Sequence, residues 1–173
     1  MNAYKQAIKE EMEELAKLPK AIFLGQQVGA QDFYGSLADI KKEQRIEMPV
    51  AEELQMGMSI GMALEGYLPI SIYQRMDFLP RACDQLVNHL DILKELSCGK
   101  FNPKVIIRST VGTTNPLDVG LQHKKDLVAG FKAMLKYIEV YTVKTPTEVH
   151  EVYQIARTIQ KPIMVIEYQD LYT

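Results

Sequence analysis

The chain has 173 residues, 47% apolar and 24% charged, with a formal net charge of −2. That length carries one domain with a sizeable core and is short for two, and the proportions are those of an ordinary globule. No basic excess is available to neutralise phosphates, which argues against a general nucleic-acid or anionic-membrane binder. The first 17 residues are charged and amphipathic, with no apolar leader segment. No apolar run approaches the roughly 18 residues of a membrane span, so a cytoplasmic location is expected. Cys83 and Cys98 stand far apart without a CxxC partner and read as free thiols of a reducing compartment.

Residues 2–17 place Ala3, Ala7, Ile8, Met12 and Leu15 at helical spacing, with acids and lysines opposite. Pro19 closes that helix. "AIFLG" (21–25) reads as a buried strand, "GAQDFYGSL" as a loop and 37–42 as a short helix. "RIEMPV" is extended, because the residue before Pro49 is pushed out of the α region. Residues 52–65 read as a helix and "YLPISIY" (67–73) as a strand. Residues 79–97 read as one long amphipathic helix with Leu86, Leu90, Leu93 and Leu96 on one side. "KVIIRST" is rich in β-branched residues and reads as a strand. After the loop "VGTTNPLDVGLQH" come a helix over 124–135 and the strand "IEVYTV". The helix "TPTEVHEVYQIART" has Thr145 as N-cap and Pro146 at its first position. "PIMVIEY" is the last strand.

Apolar strands alternating with helices imply a parallel sheet covered on both faces and joined by right-handed crossovers. The predicted fold class is α/β, a single three-layer domain over residues 1–173. Functional groups in such sheets gather at the carboxyl ends of the strands. Here those ends are Gly25–Gln31, Pro49–Glu53, Tyr73–Phe78, Ser109–His123 and Thr142–Pro146. Among them is an acid pair, Glu52 and Glu53, where an extended segment enters a helix rich in Met and Gly. The residues alone leave two readings open. The pair starts a helix, favoured by its dipole, or it includes a buried carboxyl with a proton to manage. Flanked by Val50, Ala51 and Leu54, the Glu52 side chain is expected to be desolvated, which raises a carboxyl pKa.

"MPVAE", "GMALEGYLPI", "MDFLPRACDQLVNH", "KVIIRS", "GLQH", "TPTEV" and "KPIMVIEYQDLY" occur in that order from about Tyr4 to Tyr172. Together they resemble the pyrimidine-binding domain of thiamine-diphosphate enzymes, nearest the beta subunit of pyruvate and branched-chain 2-oxo acid dehydrogenases. No single motif is specific; their order and spacing carry the resemblance. It implies thiamine diphosphate as cofactor and a small 2-oxo acid as substrate. Glu52 matches the glutamate that hydrogen-bonds the ring nitrogen of the aminopyrimidine, a catalytic and cofactor-binding role. Phe78, in "MDF", matches the aromatic packed on the pyrimidine face; without the resemblance it is an ordinary core phenylalanine. His123, in "GLQH", matches a catalytic histidine near the substrate and the lipoyl acceptor. The family's "HSQ" is "HKK" here, with Lys124 and Lys125, which leaves the acceptor open. His89 and His150 read as structural. Where the family holds a potassium ion, "RTIQKP" puts Ile159 in place of an aspartate, and Ile offers no oxygen; no metal ligand is predicted.

The sequence contains no "GDG", the family's mark of the Mg²⁺-diphosphate domain, and it stops at Thr173, where the resembling beta subunits run on. The expectation is that the cofactor is shared with a diphosphate-binding alpha-type subunit that holds Mg²⁺. A naturally split enzyme is preferred over a truncated piece or a module without catalysis, because Glu52 and Phe78 are both in place. Gly57, Gly61 and Ala63, with Met56, Met58 and Met62, make helix 52–65 a candidate homodimer contact; packing flat on its own sheet is the other reading. Two further functions stay open: ketol transfer of the split-transketolase kind, and a non-catalytic oligomerising module on the same fold.

Overall fold

A computed structural model describes residues 2–115 and 117–173. The strands are β1 (Ala21–Gly25), β2 (Arg45–Glu47), β3 (Leu68–Tyr73), β4 (Ile106–Val111), β5 (Glu139–Thr142) and β6 (Ile163–Tyr168). They form one sheet in the order β2-β1-β3-β4-β6-β5, and every pairing is parallel. β3 and β4 are buried along their whole length and β6 nearly so, as apolar runs in a two-sided parallel sheet require.

The helices are α1 (Ala3–Ala16), α2 (Glu52–Leu64), α3 (Leu93–Leu96), α4 (Val128–Met134) and α5 (Pro146–Thr158). α1 and α5 cover one face with a core that includes Ile8, Met12, Phe23, Ile70, Ile106 and Tyr153. α2, α4 and the segment after β3 cover the other, around Met56, Leu79, Leu86, Ile107, Phe131 and Met164. The three layers follow from local signals. α1 starts where the Asn2 side chain accepts from the Lys5 N–H at 2.9 Å, and α5 starts in a full capping box between Thr145 and Glu148. No helix among the described residues is long and apolar enough to cross a membrane.

Three local expectations are corrected. Residues 37–42 make separate turns, followed by a 3₁₀ turn at Lys42–Gln44. Phe33 and Leu37 are pulled fully into the core, while Phe33, Tyr34 and Gly35 take positive φ, so the chain coils tightly instead of propagating a helix. The long helix over 79–97 is also absent. Its place is taken by a 3₁₀ helix over Met76–Ala82, a π-helical stretch over Asp84–Leu90 and the single turn of α3. Pro80 has no N–H for an α ladder, and the Asp91 N–H reaches back five residues to the Leu86 carbonyl. The widening delivers Asp91, 3% exposed, to the backbone N–H groups of Lys136, Tyr137 and Ile138 at 2.7–2.9 Å. Leu96 ends up 64% exposed, outside the predicted leucine stripe. Finally, α4 begins at Val128 rather than 124. The Asp77 carboxylate accepts the Lys125 N–H at 3.3 Å, and Asp126 accepts that of Val128 at 3.1 Å.

On the α1/α5 face lies a polar cluster that the sequence did not announce. Arg108 and Glu167 are both fully buried and form a two-pronged pair at 2.8 and 2.9 Å. Arg108 also donates to Ser36 Oγ at 2.9 Å and lies over the Phe33 ring. Glu167 accepts from the hydroxyls of Tyr153 and Tyr172. Burial first, and the Glu167 charge second, push both phenols well above their ordinary pKa, so they stay donors. The cluster ties β4, β6, α5, the 33–36 turn and the C-terminal turn together.

Candidate functional site

The chain goes from β1 outward to β2 and then crosses back to β3 on the other side of β1. The strand order therefore reverses between β1 and β3, and a crevice opens at their carboxyl ends. Gly25 ends β1 there. A Cβ on it would lie 2.2 Å from the Ile72 carbonyl oxygen, so glycine lets the two strand ends close. α2 seats its first turn over this point. Gln55, 1% exposed, donates to the carbonyls of Leu24 and Ile72 and to Ser71 Oγ at 3.0–3.3 Å.

Glu52 opens α2. The buried residues of this helix are Glu52, Gln55, Met56, Ser59 and Ile60, one stripe at i, i+3, i+4, i+7 and i+8. Glu52 is the first rung and is 2% exposed. The flanking apolar residues do not bury it, because Val50 is 75% and Leu54 55% exposed. What the carboxylate touches is polar. Arg81 Nε donates to Oε2 at 3.0 Å, and Gln26 Nε2 approaches Oε1 at 3.5 Å. The Tyr73 hydroxyl, its pKa raised by burial, donates to the Glu52 carbonyl at 3.3 Å. A surface cleft of about 660 Å³ opens beside Glu52, with Arg81, Gln85, Gly57, Met58 and Leu54 among its walls. Glu53 points outward and is exposed.

Phe78 and Arg81 belong to the same 3₁₀ helix. At three residues per turn they project in one line, and this helix packs on α2. Phe78 is half-buried, and its ring meets that of His123 edge-on with centroids 5.7 Å apart. The structure thus brings Phe78 and His123 together, and Glu52 to Arg81 one turn along. His123 Nδ1 lies 3.0 Å from the Val119 carbonyl; a carbonyl only accepts, so this contact places the proton on Nδ1 and leaves Nε2 as the other working atom. Gly112, just past β4, makes room for the histidine. A Cβ there would stand 1.8 Å from the His123 carbonyl oxygen. Lys124 is taken up by Asp118 at 2.6 Å, whereas Lys125 is exposed. Asp170 holds the start of this loop through Thr113 Oγ1 and the Thr114 N–H at 2.6 and 2.7 Å.

His89 faces Asp84, and His150 lies 2.8 Å from Glu11 between α1 and α5. Sequence reasoning missed Arg81, Gln26 and Gln55. Gln55 had a signal, its place on the stripe that begins at Glu52; the other two come from separate strand ends and had none.

Comparison with known proteins agrees with this fold. The family model for the transketolase pyrimidine binding domain matches residues 1–173. The chain is 28% identical over 175 residues to the pyruvate dehydrogenase E1 component subunit beta of Gracilaria tenuistipitata var. liui, covering 96% of this chain and 52% of that protein. It is 28% identical over 178 residues to the chloroplastic pyruvate dehydrogenase E1 component subunit beta-3 of Oryza sativa subsp. japonica, covering 98% and 43%. The chain therefore spans about half the length of the curated relatives it matches. A solved structure, a split gene transketolase in an inactive beta4 tetramer, superposes with a TM-score of 0.66 at 19% identity, over 95% of this chain and 48% of that one. At that identity the likeness is one of fold. With a match along its whole length, this chain belongs to the family of transketolase pyrimidine-binding domains.

Proposed function

We propose that the chain is the pyrimidine-binding part of a thiamine-diphosphate-dependent enzyme of the 2-oxo acid dehydrogenase kind, working with a diphosphate-binding alpha-type subunit. The observation that carries this is Glu52, a carboxylate 2% exposed that borders an open cleft at the switch point of the sheet. The residues fit an aminopyrimidine. Arg81 occupies Oε2, while Oε1 has only the 3.5 Å approach of Gln26, so a lone pair is left for a ring N–H. Phe78 offers an aromatic face one turn away. When bound, the cofactor supplies the carbon nucleophile and the electron sink for decarboxylation.

Glu52 would share a proton with the pyrimidine ring nitrogen, which a glutamine cannot do. Phe78 would hold the ring plane, and His123, with Nε2 uncommitted, would move protons near the substrate. Mg²⁺ and the diphosphate are assigned to the partner. The outer side of α2, where Leu54 is 55% exposed and Gly61 has open space in front of it, is assigned to a homodimer contact; Met56 is fully buried in the chain's own core and takes no part. A cytoplasmic location completes this reading, with cell fractionation as its check.

The pyruvate dehydrogenase names of the relatives support a 2-oxo acid over a ketose phosphate. Reconstitution with an alpha-type subunit, thiamine diphosphate, Mg²⁺ and a panel of both substrate classes tests it. Turnover of 2-oxo acids that disappears in Glu52→Ala is the expected result. Turnover that survives this change, or ketose phosphates turned over in place of 2-oxo acids, overturns the assignment.

A further inference from the structure

We infer that Arg81 is a positioning residue for Glu52: it pins one carboxylate oxygen and thereby directs the other toward the bound pyrimidine. The inference rests on the functional reading above and adds to it a residue on a different strand end. The contact joins a carboxylate at 2% exposure to a guanidinium at 71%, 29 residues apart in sequence. A side chain that exposed contributes little to the core, so its fold role is small. Its contact with Glu52 is of another kind. A charged donor on one oxygen sets the direction in which the other oxygen faces, and with the guanidinium open to solvent its loss shifts that direction more than it shifts stability.

The geometry is single-pronged. Only Nε meets the carboxylate, at Oε2, in place of the two-pronged grip of which a guanidinium is capable. A two-pronged grip would engage both oxygens and leave a ligand only their remaining lone pairs. Here Oε1 stays open apart from the long approach of Gln26. Gln26 follows β1, Glu52 follows β2 and Arg81 follows β3, so three successive strand ends converge on one carboxyl group. Gln85, four residues after Arg81, lines the same cleft. The 3₁₀ helix fixes the backbone from which Arg81 projects, because Pro80 has a locked φ and the Cys83 N–H closes on its carbonyl.

The test is a double-mutant cycle on thiamine diphosphate affinity, measured by calorimetry on the complex reconstituted with an alpha-type subunit and Mg²⁺. Turnover is recorded alongside. Arg81→Gln is expected to weaken cofactor binding about tenfold, as for loss of one hydrogen bond to a charged group. Arg81→Lys, which keeps the charge, recovers part of that loss. In a Glu52→Gln background Arg81→Gln adds less than about twofold, since there is no carboxylate left to direct. Melting curves of the lone chain stay within a few degrees throughout, which separates positioning from folding. Equal losses from Arg81→Gln in both backgrounds would show that Arg81 touches the cofactor or the partner directly and would overturn the inference. So would an Arg81→Gln variant that binds like the parent while Glu52→Gln does not. If Glu52→Gln itself leaves affinity and turnover unchanged, the functional reading fails and this inference falls with it.

Discussion

Arg108→Met offers a sharp test of how the sheet is held together. Arg108 and Glu167 are both 0% exposed and exchange two hydrogen bonds of 2.8 and 2.9 Å. Methionine fills much of the arginine stem but leaves Glu167 charged in a fully buried site, with the hydroxyls of Tyr153 and Tyr172 as its remaining donors. Breaking one side of a buried ion pair costs about 3–5 kcal/mol. For a chain of this size each kcal/mol moves the melting temperature by about 2–4 °C, so the fall should be about 6–20 °C. Thermal melts followed by circular dichroism and urea unfolding measure it. Adding Glu167→Gln removes the orphaned charge while keeping an acceptor for the tyrosines, and the double variant should recover at least half of the loss. A single variant within about 1 kcal/mol of the parent, or a double variant as unstable as the two singles summed, would refute the coupling.

Other consequences follow from the same geometry. Gly112→Ala puts a Cβ where the His123 carbonyl oxygen stands; NMR should show the rings of Phe78 and His123 moved apart, and turnover of the reconstituted complex should fall with that separation. Asp91→Ala strips the acceptor from three backbone N–H groups and should destabilise the chain by about 3 kcal/mol in urea unfolding. Partial desolvation works against the Glu47 charge, but the N–H groups of Ala30, Gln27, Gly29 and Val28 outweigh this and hold its pKa below the usual carboxylate value. A depressed carboxylate stabilises the fold above its unfolded pKa, and that contribution is lost as pH falls through the folded value. Protection of the Gly29 and Ala30 amides from hydrogen exchange should therefore persist through the ordinary carboxylate range and drop only at lower pH, and Glu47→Gln should abolish this pH dependence.

Much of the fold was legible because its signals are local. Each of the six described strands is a short extended or apolar run; α1, α2 and α5 carry periodic stripes, and α1 and α5 also have side-chain caps supplied by nearby residues. The segment after β3 was misread because a leucine spacing cannot show where a helix ladder widens. Pro80 and the remote amides that Asp91 serves decided it. At the candidate site, Glu52 and Phe78 were singled out through motif resemblance, and the helical stripe Glu52, Gln55, Met56, Ser59 and Ile60 would have given the burial of Glu52 on its own. The expected apolar wall of Val50 and Leu54 was wrong, since adjacency in sequence says nothing about which side of a helix start faces solvent.

The sequence by itself determined an α/β chain with its candidate residues at the strand ends, because alternation, β-branching and capping act within a few residues of one another. Only the tertiary structure decided what those ends do together. The parallel order with β1 between β2 and β3 brought Gln26, Glu52 and Arg81 to one carboxyl group, and β4 beside β6 joined Arg108 to Glu167 across 59 residues. Pairings of that kind are fixed by which strands lie side by side, and no local window of sequence contains both partners.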